Sequence, residues 1–192
     1  DMSLSQADDA PQIIIDPGAY QLNYVACGAT RGLWRVAGSV GDFAGCSLSG
    51  ATLLIVGDAM RYVGCDMRRG HLIVSGDVGD DLAGALPGKR SGMRDGTLMV
   101  LGNAGDRAGC RLRRGTIFIG GDTGDLGGMQ WIAGTIIVLG ELGSGWCGAM
   151  KRGTLVVGRD CRNQDFTATW TEPREFELSF LPLLWNHLRS LI

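Results

Sequence analysis

Seven glycines open seven near-copies of one segment. They stand at Gly32, Gly50, Gly70, Gly96, Gly115, Gly134 and Gly153, at spacings of 18, 20, 26, 19, 19 and 19 residues. Each unit reads roughly G-T-L-x-V-x-G-D-x-G-D-x-x-G-x-x-M-R-R-G. The long interval holds one unit plus a seven-residue excess, mostly around "LPGKRSG" at 86–92. A period of this length belongs to stacked architectures, in which one unit cannot bury its own apolar face and its neighbours complete the core.

Inside each unit the apolar residues alternate. Trp34, Leu53, Leu72, Leu98, Ile117, Ile136 and Leu155 form one column; Val36, Ile55, Val74, Val100, Ile119, Val138 and Val157 form another two residues on. Period-2 alternation cut by glycines predicts strands. A third column (Leu48, Met67, Met93, Leu112, Trp131, Met150) follows the later glycine of each unit. Stacking like on like at about 4.8 Å per turn joins these columns into one core. No unit holds a ten-residue helical stretch, so helical solenoids are excluded. The predicted fold is all-β: a parallel β-helix of about seven turns. Unequal corners and a 19-residue turn suit the right-handed form better than the 6-6-6 left-handed hexapeptide coil.

The ends differ from the middle. Residues 1–31 are expected to hold an N-terminal segment and the start of the coil, with strand-like runs "QIIID" and "YQLNYVA"; residues 32–158 form the repeat; residues 159–192 form a C-terminal extension. Its last stretch, "SFLPLLWNHLRSLI", puts Leu181, Leu184, Trp185, Leu188 and Leu191 on one face of a helix, with Ser179 as N-cap and Pro182 in the first turn. That helix is expected to cap an open end of the coil, or else to dock a partner.

Composition narrows the function. Glycine numbers 32 in 192 residues, but without the G-X-Y period of collagen and with apolar residues between, unlike a flexible linker. A net charge of −2 gives no reason to expect nucleic acid or an anionic membrane as partner. There is no apolar run of membrane-spanning length and no signal-peptide pattern; opening on Asp1, the chain is expected to have a processed or trimmed start. The six cysteines (Cys27, Cys46, Cys65, Cys110, Cys147, Cys161) form no C-x-x-C pair, and His71 and His187 are the only histidines. No metal site is therefore expected, and buried free thiols point to a reducing cytoplasm.

Several motifs resemble sites without the context a site needs. "GSGWCG" at 143–148 matches a dinucleotide fingerprint, but the next strand begins at Thr154 and leaves no room for the helix that must follow. "GGDTGD" at 120–125 is near a calcium-binding nonapeptide, with the wrong period; Asp42, Asp80, Asp106 and Asp125 are expected to be turn residues bonding nearby N–H groups. Cys46, Cys65 and Cys110 share a column as small stacking residues, and His71 is expected to be a solvated surface residue. No catalytic residue is expected. One pattern remains: Arg68-Arg69, Arg94, Arg113-Arg114 and Lys151-Arg152 recur at one corner, Lys89 and Arg90 join from the insertion, and Ile132-Ala133 interrupts. Stacking lines them into a basic stripe, either solubility charge paired with acidic turns or a track for a polyanion.

With the repeats laid out, the stretch "GKRSGMRDGTLMVLGNAG" and its continuation to "GAMKRGTLVV" resemble the C component of formylmethanofuran dehydrogenase and of the bacterial formyltransferase/hydrolase complex of methylotrophs. The likeness spans about residues 32–157, and the "FELSFLPLLW" tail fits as well. The glutamate synthase C-terminal domain, a right-handed β-helix, shares the glycine-repeat architecture. The resemblance implies a non-catalytic structural subunit in tetrahydromethanopterin-linked one-carbon metabolism, where formaldehyde is oxidised to formate. Its implied partners are the amidohydrolase-like A component, the B component and the formyltransferase, which is the D component. No cofactor is expected on this chain alone, although the polyglutamate tail of the furan cofactor gives Arg68, Lys89, Arg90, Arg94, Arg113 and Lys151 a ligand. Met60 in place of a glycine and Ile132-Ala133 in place of a basic pair are its departures. An excess of arginine over lysine and five tryptophans lean towards a GC-rich bacterium. The alternatives are the C component of an archaeal molybdenum or tungsten dehydrogenase, a glutamate-synthase-type spacer, and a free-standing polyanion-binding module.

Overall fold

A computed structural model describes residues 11–159 and 179–191 of the chain. Its strands are β1 (Gln12–Ile15), β2 (Leu33–Val36), β3 (Ser49–Ile55), β4 (Arg69–Val74), β5 (Thr97–Val100), β6 (Thr116–Ile119), β7 (Thr135–Val138) and β8 (Thr154–Val157). They form one parallel sheet in sequence order, the strand ladder of a β-solenoid. The eight strands exceed by one the count from the opening glycines, because Pro11 rather than glycine precedes β1.

Register follows the predicted columns. Leu53, Leu72, Leu98, Ile117 and Ile136 are successive Cα partners, and all are buried. Leu48, Met67, Met93, Leu112 and Trp131 pack into the same core from the far side of each turn. A fourth column, Val40, Ala59, Val78, Ala104 and Thr123, is tied by isolated parallel bridges. Burial of each large aliphatic side chain contributes about 1.5–3 kcal/mol, so a regular column is the main source of stability.

The opening glycines are needed because the turns crowd. Gly115 has φ 98°, and a Cβ there would lie 2.8 Å from the carbonyl oxygen of Gly96 on the preceding turn. The insertion loops out without disturbing the stack. In ordinary turns the N–H of Leu48 or Leu112 donates to a carbonyl three residues back, at Gly45 or Gly109. In the long turn Met93 donates to Ala83, and the extra residues leave between them. The substitution at Met60 is absorbed too: its exposed side chain points off the coil while its N–H reaches Gly41 at 3.4 Å.

The Asp column does bond backbone N–H groups, but those of the next turn. The N–H of Asp106 donates to Asp80 Oδ1 at 3.0 Å, Asp125 to Asp106 at 2.9 Å, and Ser144 to Asp125 at 2.7 Å. A parallel ladder runs through Asp58, Asp77, Asn103 and Asp122. Apart from Asp125, these side chains fill the space where the following turn carries glycine; a Cβ on Gly121 would clash with Asn103 Oδ1. The repeated Gly-Asp pairs are thus a stacking device in which glycine makes room and aspartate occupies it.

The tail helix corrects the expectation. Helix α1 (Leu181–Arg189) does not close the coil's end; it lies along the outer face of the sheet. Leu188, with Leu184 and Leu191 beside it, packs on Ile73, Met99, Phe118 and Ile137, the outward residues of β4–β7. Those strands are apolar on both faces, and the second face needs a cover. Phe180, not Ser179, stands at the N-cap and gives no side-chain cap bond, while Pro182 lies in the first turn as expected. The stretch between coil and helix, including Cys161, falls outside the described residues.

Candidate functional site

The basic corner is built by the stacking itself. The N–H of Arg94 donates to Met67, that of Arg113 to Met93, that of Ile132 to Leu112 and that of Lys151 to Trp131. Arg68, whose N–H bonds Leu48, begins the series. Arg68, Arg94, Arg113 and Lys151 therefore share one column, with Ile132 as the break. Lys89 and Arg90 sit on the inserted loop, which Arg111 ties down by donating from Nη1 to the Lys89 carbonyl at 2.9 Å and from Nε to Gln130 Oε1 at 2.7 Å.

The column is not uniform. Asp66, only 5% exposed, lies beneath its first part. Arg68 Nη2 donates to Asp66 Oδ2 at 3.3 Å, as does Ser47 Oγ. Arg94 Nε stands 2.8 Å from Asp66 Oδ1, a charge contact off the hydrogen-bond direction. Two of the six candidate cations thus have an internal counter-ion. Arg113, Lys89, Arg90 and Lys151 are exposed and make no ion pair with a described residue. Asp66 was legible only as the residue 19 after Ser47 in "GCDMRRG".

A second column escaped sequence reasoning. Tyr24, Phe43 and Tyr62 stack ring on ring, with centroids 4.7 and 4.9 Å apart and planes within 4°. On the next two turns the column continues as Asp81 and Arg107, joined by two bonds of 2.9 Å, one each from Nε and Nη2. Its signal was an aromatic residue every 19 positions. Asp81, through that hydrogen bond above all, raises the Arg107 pKa above its ordinary value.

Of the five described cysteines, Cys46, Cys65 and Cys147 are buried as expected, Cys110 is half-buried and Cys27 is exposed. Burial pushes the Cys46 thiol up to about 11 and that of Cys147 up to about 12, and raises Cys65 and Cys110 as well, so these thiols stay protonated near neutrality. Among the described residues no group of three or more His, Cys, Asp or Glu is placed to hold a metal ion, and no helix is long and apolar enough to cross a membrane. A groove of about 350 Å³ lies between Ile137 and Val156 on the sheet, Leu139 just past β7, and Leu181, Leu184 and Trp185 on α1; its lining residues are apolar. His71, expected to be solvated, is half-buried, and its enclosed Nδ1 has no hydrogen-bond partner among the described residues.

Fold and surface together define a β-solenoid that displays side-chain columns on its outside. No protein-family model matches the chain, and no curated protein matches it. Among solved structures, one from Methylorubrum extorquens does: the formyltransferase/hydrolase complex (FhcABCD) in complex with methylofuran. The chain is 33% identical to it, with a TM-score of 0.82, over 96% of this chain and 68% of that one. The chain belongs to this family of formyltransferase/hydrolase complex subunits.

Proposed function

We propose that the chain is the C component of such a complex: a non-catalytic structural subunit in cytoplasmic one-carbon metabolism linked to tetrahydromethanopterin. Its partners are then the amidohydrolase-like A component, the B component and the formyltransferase. The likeness to a bacterial hydrolase complex favours this assignment over an archaeal dehydrogenase. The observation that carries a binding role is the set of exposed cations with no ion-pair partner among the described residues: Arg113 and Lys151, in the column headed by Arg68 and Arg94, and Lys89 and Arg90 on the inserted loop. Their ligand is the carboxylate-rich tail of a furan cofactor or an acidic face of a partner protein. The related complex was crystallised with methylofuran, which supports the first. Arginine pairs carboxylates bidentately, and its column repeats at about 4.8 Å per turn.

Each exposed pair is worth about 0.2–1 kcal/mol, so removing several cations is needed for a clear effect. The triple variant Lys89→Gln/Arg90→Gln/Arg113→Gln is expected to fold normally. It should bind the rest of the complex, or a polyglutamate peptide, on the order of tenfold more weakly at low salt, with a shallower dependence on ionic strength. Superimposable curves would leave the stripe a solvated surface. Failure of the unaltered chain to join its partners at any salt would overturn the assignment to the complex itself.

A further inference from the structure

The fold brings the chain's two histidines together. His71 lies on β4 and His187 on α1, 116 positions apart in sequence, yet their ring centroids are 6.2 Å apart. His71 Nδ1 is enclosed and has no hydrogen-bond partner among the described residues. The helix has little to hold it besides the sheet. It spans nine residues, lacks a side-chain N-cap bond, and carries no acidic residue in its first turn. Helices this short are marginal alone, so α1 depends on Leu184, Leu188 and Leu191 seated on the sheet's outer face.

We propose that the His71–His187 pair is an acid-sensitive latch: the neutral pair lets α1 lie on the sheet, and its protonation lifts the helix off. Burial first, and then the His187 charge, lower the pKa of His71 in the docked state. The docked state therefore binds protons more weakly than the undocked one. Docking is fully stable above the ordinary histidine value of about 6.5 and weakens as pH falls through the lowered value. Among the described residues no carboxylate offsets this. On the sheet His71 stands between Thr52 and Thr97, and the nearby helix cation, Arg189, sits over the Trp185 ring 5.8 Å away. Of the described charges only His187 acts on His71. Release uncovers Ile73, Met99, Phe118 and Ile137, an apolar strip that then becomes available to another surface.

The test is hydrogen exchange on the full chain at pH 7.5 and 5.5, corrected for intrinsic rates. Two like charges 6.2 Å apart near a protein surface should reduce protection of residues 181–191 on the order of tenfold at the lower pH. Protection of β5–β7 should persist. In the double variant His71→Gln/His187→Gln, protection of the helix should be the same at both pH values. If the double variant already frees the helix at pH 7.5, the single variant of the exposed His187, His187→Gln, decides; its acid-induced loss should be smaller than that of the unaltered chain. Helix protection that ignores pH in the unaltered chain, or falls equally in the His187→Gln variant, overturns the latch.

Discussion

A chain carrying Ile117→Asp is expected not to fold. Ile117 is fully buried in the middle of the coil, paired in register with Leu98 before it and Ile136 after it. An aspartate there loses the burial of an isoleucine and places a carboxylate among aliphatic side chains, at a cost of several kcal/mol even after it takes up a proton. Domains of this kind have only about 5–15 kcal/mol of stability in total. The change also sits mid-column, so it interrupts stacking for the turns on both sides. Circular dichroism and the yield of soluble protein report the outcome. Met60→Asp, at an outward position 46% exposed, is the control and should melt near the unaltered chain. A soluble Ile117→Asp protein with an unchanged melting temperature would contradict the inward column.

Gly121→Ala is expected to destabilise the chain more than Gly88→Ala, although only Gly88 has a left-handed backbone, at φ 79°. At Gly88 an added Cβ meets nothing within 4 Å, so the cost is the backbone strain alone, about 1–2 kcal/mol. At Gly121 the Cβ would clash with Asn103 Oδ1 and lie 2.9 Å from the Gly102 carbonyl. Asn103 must move, and the Asp122 N–H then loses the acceptor it now reaches at 2.8 Å. Overpacking and a broken ladder bond together cost about 2–5 kcal/mol. Denaturant midpoints measure both variants. Adding Asn103→Ala to Gly121→Ala should cost less than the sum of the single changes, because the clash is removed once. Equal tolerance at the two glycines would mean that the ladder does not set the glycine requirement.

The strand columns could be read directly because stacking repeats one environment at one sequence interval, so Leu72, Leu98, Ile117 and Ile136 announce their shared core. The tail helix could not be placed in the same way. Its periodicity shows an apolar face but not what that face covers. The missed clue was on the strands: "TLMV", "TIFI" and "TIIV" are apolar at the outward position as well, which a solvated sheet would not be. The carboxylate ladders were half legible. Aspartate after glycine suggests a local turn, and only the coil's geometry turns each bond towards the next turn. At the basic corner the recurrence of Arg68, Arg94 and Arg113 was visible, whereas the buried Asp66 that holds the first two was not. Pairing of that kind depends on depth, which a column of letters does not show. His71 looked solvated because nothing near it in sequence covers it; its cover is α1.

The assignment as a non-catalytic member of the complex is tested most directly by assaying the isolated chain beside the reconstituted complex for formyl transfer and formyl hydrolysis, with metal analysis of both. The complex should turn over, while the isolated, folded chain should show no turnover and retain no stoichiometric metal after dialysis. Turnover by the chain alone, or one equivalent of bound metal, would contradict it.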